Sequence, residues 1–285
     1  MTSVTFKTKT LMALVGLMAL GTTAVGAVAC APVPDGATPG DAIESPELPP
    51  AGEEPGQLDN GLTPEVRETI LKTVAADVDR PVAELRIAAT ETATWNGCMG
   101  IYEPNQACTM IAISGLRVVV TDGEQSWVYH TREDGQNAVQ NPTASGSQNG
   151  LIPDFIPPQP NENPGEAPDE YVFRSLVSGG LAGRQQAITL LSDGRLLETE
   201  GSTVVAESQV TPEQLAEFQQ VLEDQRFPNL DQMRYVTDAA FADYPTVQLS
   251  TGYSRTEYID LALDDLPTAL QAVVQAWDSL VAEAQ

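Results

Sequence analysis

Three cysteines, a single histidine and 40 carboxylates are the groups in this 285-residue chain that could carry chemistry. The histidine, His130, stands in Trp127-Val128-Tyr129-His130, where strand alternation puts Trp127 and Tyr129 on one face and Val128 and His130 on the other. One imidazole cannot complete a zinc centre or a catalytic triad, and no serine or cysteine sits in an elbow motif that would make it a nucleophile. His130 therefore reads as structural. Asp238, Asp243 and Asp260 could supply a carboxylate pair for acid–base work, but among 40 acids such pairs arise by chance and no spacing singles one out. The expectation is a non-enzyme with no catalytic residue, metal ligand or cofactor.

A second kind of chemistry is recognition. Ser178-Gly179-Gly180-Leu181-Ala182-Gly183 places three glycines in five residues between two strand-like runs, Tyr171 to Val177 and Gln185 to Leu191. Such a hinge allows positive φ and close approach of another backbone. It either turns one strand into the next or is the loop that a partner reads, and these six residues are the candidate partner-binding loop.

The charge narrows the partners. There are 14 basic against 40 acidic residues, a net charge of −26, and loss of Lys7 and Lys9 with a leader would take it to −28. A surface of that sign repels phosphate backbones, so nucleic acid is excluded as a partner. Concentrated salt, which screens self-repulsion, is a habitat in which this acidity would be useful.

Residues 1–29 have the pattern of an export signal: Lys7 and Lys9, an apolar run from Leu11 to Leu20, and Ala27-Val28-Ala29 before Cys30. Small residues ending at a cysteine resemble a bacterial lipobox, which implies that Cys30 is lipidated and becomes the new N-terminus; cleavage after Ala29 without lipid is the other outcome. The resemblance implies an extracytoplasmic protein held on a bacterial membrane, in the periplasm or at the outer membrane. Residues 30–61 then form a tether. Ala31 to Asn60 holds seven prolines, seven acids and no basic residue, too little apolar surface to fold. At about 3 Å per residue it could extend on the order of 90 Å from the membrane.

Export settles the remaining cysteines. With Cys30 given to lipid, Cys98 and Cys108 are the pair left to meet oxidising conditions, and a Cys98–Cys108 disulfide is expected. Their spacing is not the C-x-x-C of thiol exchange, and no second histidine completes a metal site. The tryptophan and paired cysteines of Trp95-Asn96-Gly97-Cys98 to Cys108 resemble an uncharacterised module of exported bacterial proteins, from which no activity follows.

The elements that must position these groups are predicted as α+β, in two small domains that each pack antiparallel sheet with one or two helices. Thr63-Pro64-Glu65 opens a helix whose apolar face is Val66, Ile70, Val74 and Val78. Strands follow at 85–95, 116–121 and 126–131, the last two joined by Asp122-Gly123, to complete a domain at 62–140. Residues 141–170, with seven prolines and no basic residue, read as a linker. Its apolar patch, Leu151 to Pro157, is expected either to dock on a domain or to serve as a peptide for a partner. The domain at 171–285 begins with four meandering strands, turns at Asp193-Gly194 and Gly201, and passes into a helix at Thr211-Pro212-Glu213. Two strands and a terminal helix follow.

Phe173 to Gly183, with its Ser-Gly-Gly-apolar-Ala-Gly signature, the hairpin after it, the Thr-Pro-Glu-x-Leu helix, two strands and the last helix resemble the emfourin family. That resemblance implies a small protein inhibitor of thermolysin-like metallopeptidases. Leu181 stands where a bulkier residue is common in the family, and a glycine-rich turn could carry it into a cleft that takes aliphatic side chains. The expected partners are the membrane, through Cys30, and an extracytoplasmic protease or other envelope protein; the alternative is a structural or adaptor lipoprotein of the envelope.

Overall fold

The computed structural model describes residues 61–157, 171–179, 184–237 and 244–284, all within one compact unit, Glu54–Gln285. Cys30, the tether up to residue 60 and residues 158–170 lie outside the described residues, as do Gly180, Leu181, Ala182, Gly183, Asp238 and Asp243.

The first helix, α1, is Pro64–Val78. Thr63 adopts extended backbone and its hydroxyl accepts from the Val66 amide at 3.4 Å, proline occupies the first turn where its missing N–H is no loss, and Asp79 ends the helix in the left-handed region at φ 54°. A 3-10 turn, Val82–Glu84, redirects the chain into β1, Arg86–Trp95. With β2, Ile113–Thr121, β3, Ser126–Arg132, and β4, Val139–Asn141, it forms an antiparallel sheet in the order β1-β2-β3-β4.

Strand alternation gives this sheet two buried faces. Leu116, Val118, Val120, Trp127 and Tyr129 pack with Ile70 and Val74 of α1. Val119 and Val128, one step along, belong instead to the large core of the second half of the chain. The Tyr129 hydroxyl donates to the Asp77 carboxylate at 2.6 Å, joining sheet to helix; burial first, and then Asp77, push this phenol well above its ordinary range.

The second sheet is mixed and has eight strands. After β5, Asp154–Phe155, it contains β6, Tyr171–Gly179, β7, Arg184–Leu191, β8, Arg195–Glu200, and β9, Thr203–Gln209. Helix α2, Pro212–Asp224, follows, then β10, Met233–Tyr235, β11, Thr246–Ser250, β12, Arg255–Ile259, and helix α3, Thr268–Ala284. The spatial order is β5-β10-β12-β11-β6-β7-β8-β9, antiparallel except where β10 runs parallel to β12. Thr211 and Gln214 form a reciprocal capping box at the start of α2. Phe173 lies fully buried beneath the helices, its ring centroid 5.1 Å from Phe218, 5.4 Å from Phe227 and 4.9 Å from Trp277. The Trp277 indole N–H donates to Ser175 Oγ at 3.0 Å, so the core's largest polar handle is satisfied.

The fold is α+β, as predicted, with its sheets in two groups. The segment expected as a linker behaves otherwise over residues 141–157. Asn141 donates its side-chain amide to the Asn229 carbonyl at 2.7 Å, Ser145 Oγ accepts the Val128 amide at 2.8 Å, and the Tyr235 hydroxyl donates to the Ala144 carbonyl at 2.9 Å. Leu151 is buried in the core, Phe155 pairs with Met233, and Arg234 grips Asp154 through two bonds of 2.8 and 2.9 Å. A proline-rich stretch without basic residues can still be ordered, because its asparagine and serine side chains satisfy an irregular backbone one group at a time. Of the two outcomes open for the apolar patch, it docks.

Candidate functional site

Residues 96–112, the irregular connection between β1 and β2, form a solvent-facing loop closed by the Cys98–Cys108 disulfide. Its foundation is Trp95, the last residue of β1. The Trp95 indole donates to the Thr131 carbonyl at 2.9 Å and its ring stacks on His130, 4.2 Å between centroids with planes 3° apart. Gly115 and Gly100 leave the space the ring needs, since a Cβ at either would collide with it. Because His130 Nδ1 lies 2.7 Å from the Met99 carbonyl, which can only accept, Nδ1 carries the hydrogen and donates. Burial is the main cause that pushes this imidazole down to about 4, so it is neutral near pH 7. Its stack on Trp95 and its bond to the Met99 carbonyl brace the start of the loop.

On the same sheet face, Arg117 lies between two rings, 5.9 Å from the Trp95 centroid and 5.7 Å from that of Phe155. Its Nη1 donates to the Asp231 carbonyl at 2.7 Å and pairs with Glu91 at 3.1 Å. Desolvation raises the carboxyl pKa of both Glu91 and Asp231, and Arg117 opposes that rise. These groups tie β1 and β2 to Phe155 of β5 and to Asp231, two residues ahead of β10. The guanidinium is paired through Nη1, while its Nε is buried with no hydrogen-bond partner among the described residues.

Above these groups, Asn96 Oδ1 accepts from the Cys98 and Gly100 amides at 2.9 and 3.2 Å, and Met99 plugs inward, 4% exposed. Cys98 and Cys108 are disulfide-bonded, with Cα atoms 5.5 Å apart. Tyr102 and Asn229 exchange two bonds, the Tyr102 amide donating to Asn229 Oδ1 at 2.7 Å and Asn229 Nδ2 donating back to the Tyr102 carbonyl at 3.0 Å. Arg226 pairs with Glu103 at 2.7 Å. The return limb is fixed where the Gly97 amide donates to the Thr109 carbonyl at 2.9 Å and Ile113 pairs with Trp95. Between those two points Met110 and Ile111 point outward, 94% and 55% exposed.

The glycine hinge is described only at its ends. Ser178 pairs with both Gln185 and Thr246, and Gly179 pairs with Arg184, so the β6–β7 ladder continues to the hinge itself. Gly179 has φ 107°, a backbone conformation that side chains rarely adopt, and the Tyr244 carbonyl lies in ordinary contact range of where a Cβ would be, at 3.4 Å. Of the candidate acids, Asp260 opens a 3-10 turn, Asp260–Asp265, near Asp278, whose carboxyl is raised first by burial and then by Asp260. Among the described residues no group of three His, Cys, Asp or Glu could hold a metal ion. Nor is any helix among them long and apolar enough to cross a membrane.

Arg117, Asn229 and the Met110-Ile111 pair were not legible as special. Arg117 looks like any arginine on a strand, and Thr109 to Ala112 reads as the approach to β2; its departure from the ladder leaves no mark on composition.

A family model described as a domain of unknown function (DUF8738) matches residues 67–139, which runs from α1 to the first residue of β4 and includes the whole disulfide loop. No curated protein matches the chain.

Proposed function

We propose that this is an extracytoplasmic lipoprotein, anchored through lipid on Cys30, whose folded unit binds another protein and carries out no reaction of its own. A thermolysin-like metallopeptidase is the first partner to test, with inhibition as the outcome of binding. The observation that carries the reading is the Cys98–Cys108 disulfide, which fits an oxidising compartment and holds a solvent-facing loop in one shape. The order of elements over residues 171–284, four strands, a helix, strands and a last helix, supports the likeness to the emfourin inhibitors. The strongly acidic composition supports a protein partner with a basic rim over any nucleic acid.

The test is a titration of the full chain, in detergent, against a thermolysin-like metallopeptidase hydrolysing a small fluorogenic peptide. Progressive loss of hydrolysis with added chain is expected. Unchanged hydrolysis with the chain in large excess contradicts inhibition of that peptidase class.

A further inference from the structure

The free carbonyls at a helix C-terminus favour a cation, yet the last turn of α3 holds no basic residue. Along one side of this helix, the 3-10 turn Asp260–Asp265 encloses an open groove of about 500 Å³. Leu263, Val274 and Ala282 give it an apolar wall, and Asp264 and Asp278 give it carboxylates. The Asp278 carboxyl is raised first by burial and then by Asp260, and no basic side chain pairs with either acid among the described residues. Elsewhere the fold answers such a meeting with a cation: Asp231 raises Glu91, and Arg117 opposes the rise at both. Tyr258 sharpens the contrast. It is 6% exposed, and its hydroxyl has no hydrogen-bond partner among the described residues. Burial first, and then Asp278 and Asp260, push this phenol well above its ordinary range, so the hydroxyl lies in the field of both acids.

From this geometry we infer that the groove between α3 and residues 260–265 is a binding site for an alkylguanidinium or alkylammonium ion, presented as an arginine or lysine side chain by a partner protein. The methylene stem packs along Leu263, Val274 and Ala282, while the charged head reaches Asp278, Asp260 and the Tyr258 hydroxyl oxygen. These acids do not form a group that could hold a metal ion, whereas an organic cation needs no fixed coordination shell. A groove open along a helix admits a side chain still attached to its backbone, and the exposed Gln275 on the rim can bond that backbone. The inference rests on the protein-binding reading above and names the chemical group of the partner that this face takes.

The experiment follows backbone amide resonances of the isotope-labelled full chain, in detergent, during titration with acetyl-Ala-Arg-Ala-amide. Saturable shifts centred on Leu263, Asp278 and Ser279 are expected. The same peptide with citrulline in place of arginine keeps the shape and loses the charge, and is expected to bind about fivefold more weakly. Asp278→Asn is expected to weaken the arginine peptide by a similar factor. By removing the repulsion from Asp260 it is also expected to leave the melting temperature at or above the parent's, so that lost binding is not lost folding. Glu65→Gln, on α1, changes the net charge by the same amount and is expected to stay within about twofold of the parent. Spermidine and magnesium chloride, at matched ionic strength, are the free-cation arms. Equal affinity for the two peptides, equal losses in Asp278→Asn and Glu65→Gln, or a response to spermidine or magnesium without one to the arginine peptide overturns this inference. Each of those results leaves the protein-binding reading standing, because the peptidase titration is a separate measurement; a chain that takes the peptide and leaves the peptidase untouched does the reverse.

Discussion

His130 shows how much one side chain can reveal when its partners are known. Its folded value of about 4 lies below the ordinary 6.5, so between those values the unfolded chain binds a proton that the folded chain refuses. The stability it contributes is complete above pH 6.5 and is lost as pH falls toward 4, by up to about 3 kcal/mol if the shift is fully expressed. Glu91 and Asp231, whose folded values are raised, act with the opposite sign and offset part of the loss. In His130→Phe, which keeps the stack on Trp95 and loses the bond to Met99, the fall in melting temperature between pH 7 and 4.5 is expected to flatten even though the variant starts lower. Equal slopes in parent and variant would remove His130 as the cause. Gly115→Ala is the steric counterpart. Its new methyl meets the Thr131 carbonyl and the Trp95 indole, so a cost of at least about 2 kcal/mol is expected in denaturant unfolding. Neither effect can be read from sequence, because each depends on which side chain lies across the sheet.

At the level of elements, local rules were reliable wherever the signal was local. Thr63-Pro64 and Thr211-Pro212 start helices through the caps that their hydroxyls predict, and Asp122-Gly123 and Asp193-Gly194 turn hairpins where expected. The short strands β4, β5 and β10 were missed, since two or three residues carry no periodicity and exist only because a neighbouring strand pairs with them. The disulfide loop is the element on which the proposed function rests. Replacing Cys98 and Cys108 with serine is expected to cost about 3 kcal/mol for an 11-residue ring, measured as a shift in the urea midpoint. No shift would mean that the Asn96, Asn229 and Arg226 bonds already hold the loop. By contrast β9, an edge strand with Val204 and Val205 exposed, carries a bulge opposite Glu198 and Thr199 and an outward Glu207, features that discourage a further strand from pairing there.

For the molecule as a whole, the two sheets share a core, with Val119, Val128, Ala144 and Leu151 of the first half packed among residues of the second. Arg117, Asn141 and Tyr102 add hydrogen bonds across the same seam. Chemical unfolding is therefore expected to give one transition, with tryptophan fluorescence and circular dichroism coincident; two separated transitions would show that the halves fold independently. The charge adds a condition. With a net charge of −26, raising salt from 0.1 to 1 M is expected to raise the melting temperature by screening self-repulsion, and an unchanged value would leave the acidity without a role in stability. All these properties serve one claim, that oxidation shapes a loop for recognition. The most direct measurement is inhibition of a thermolysin-like metallopeptidase by the full chain, once with Cys98 and Cys108 oxidised and once after both are replaced by serine. Strong inhibition by the oxidised chain and inhibition weakened at least about tenfold in the serine variant are expected, since a loosened loop must be reordered on binding. Equal potency of the two, or no inhibition by either, would contradict the claim.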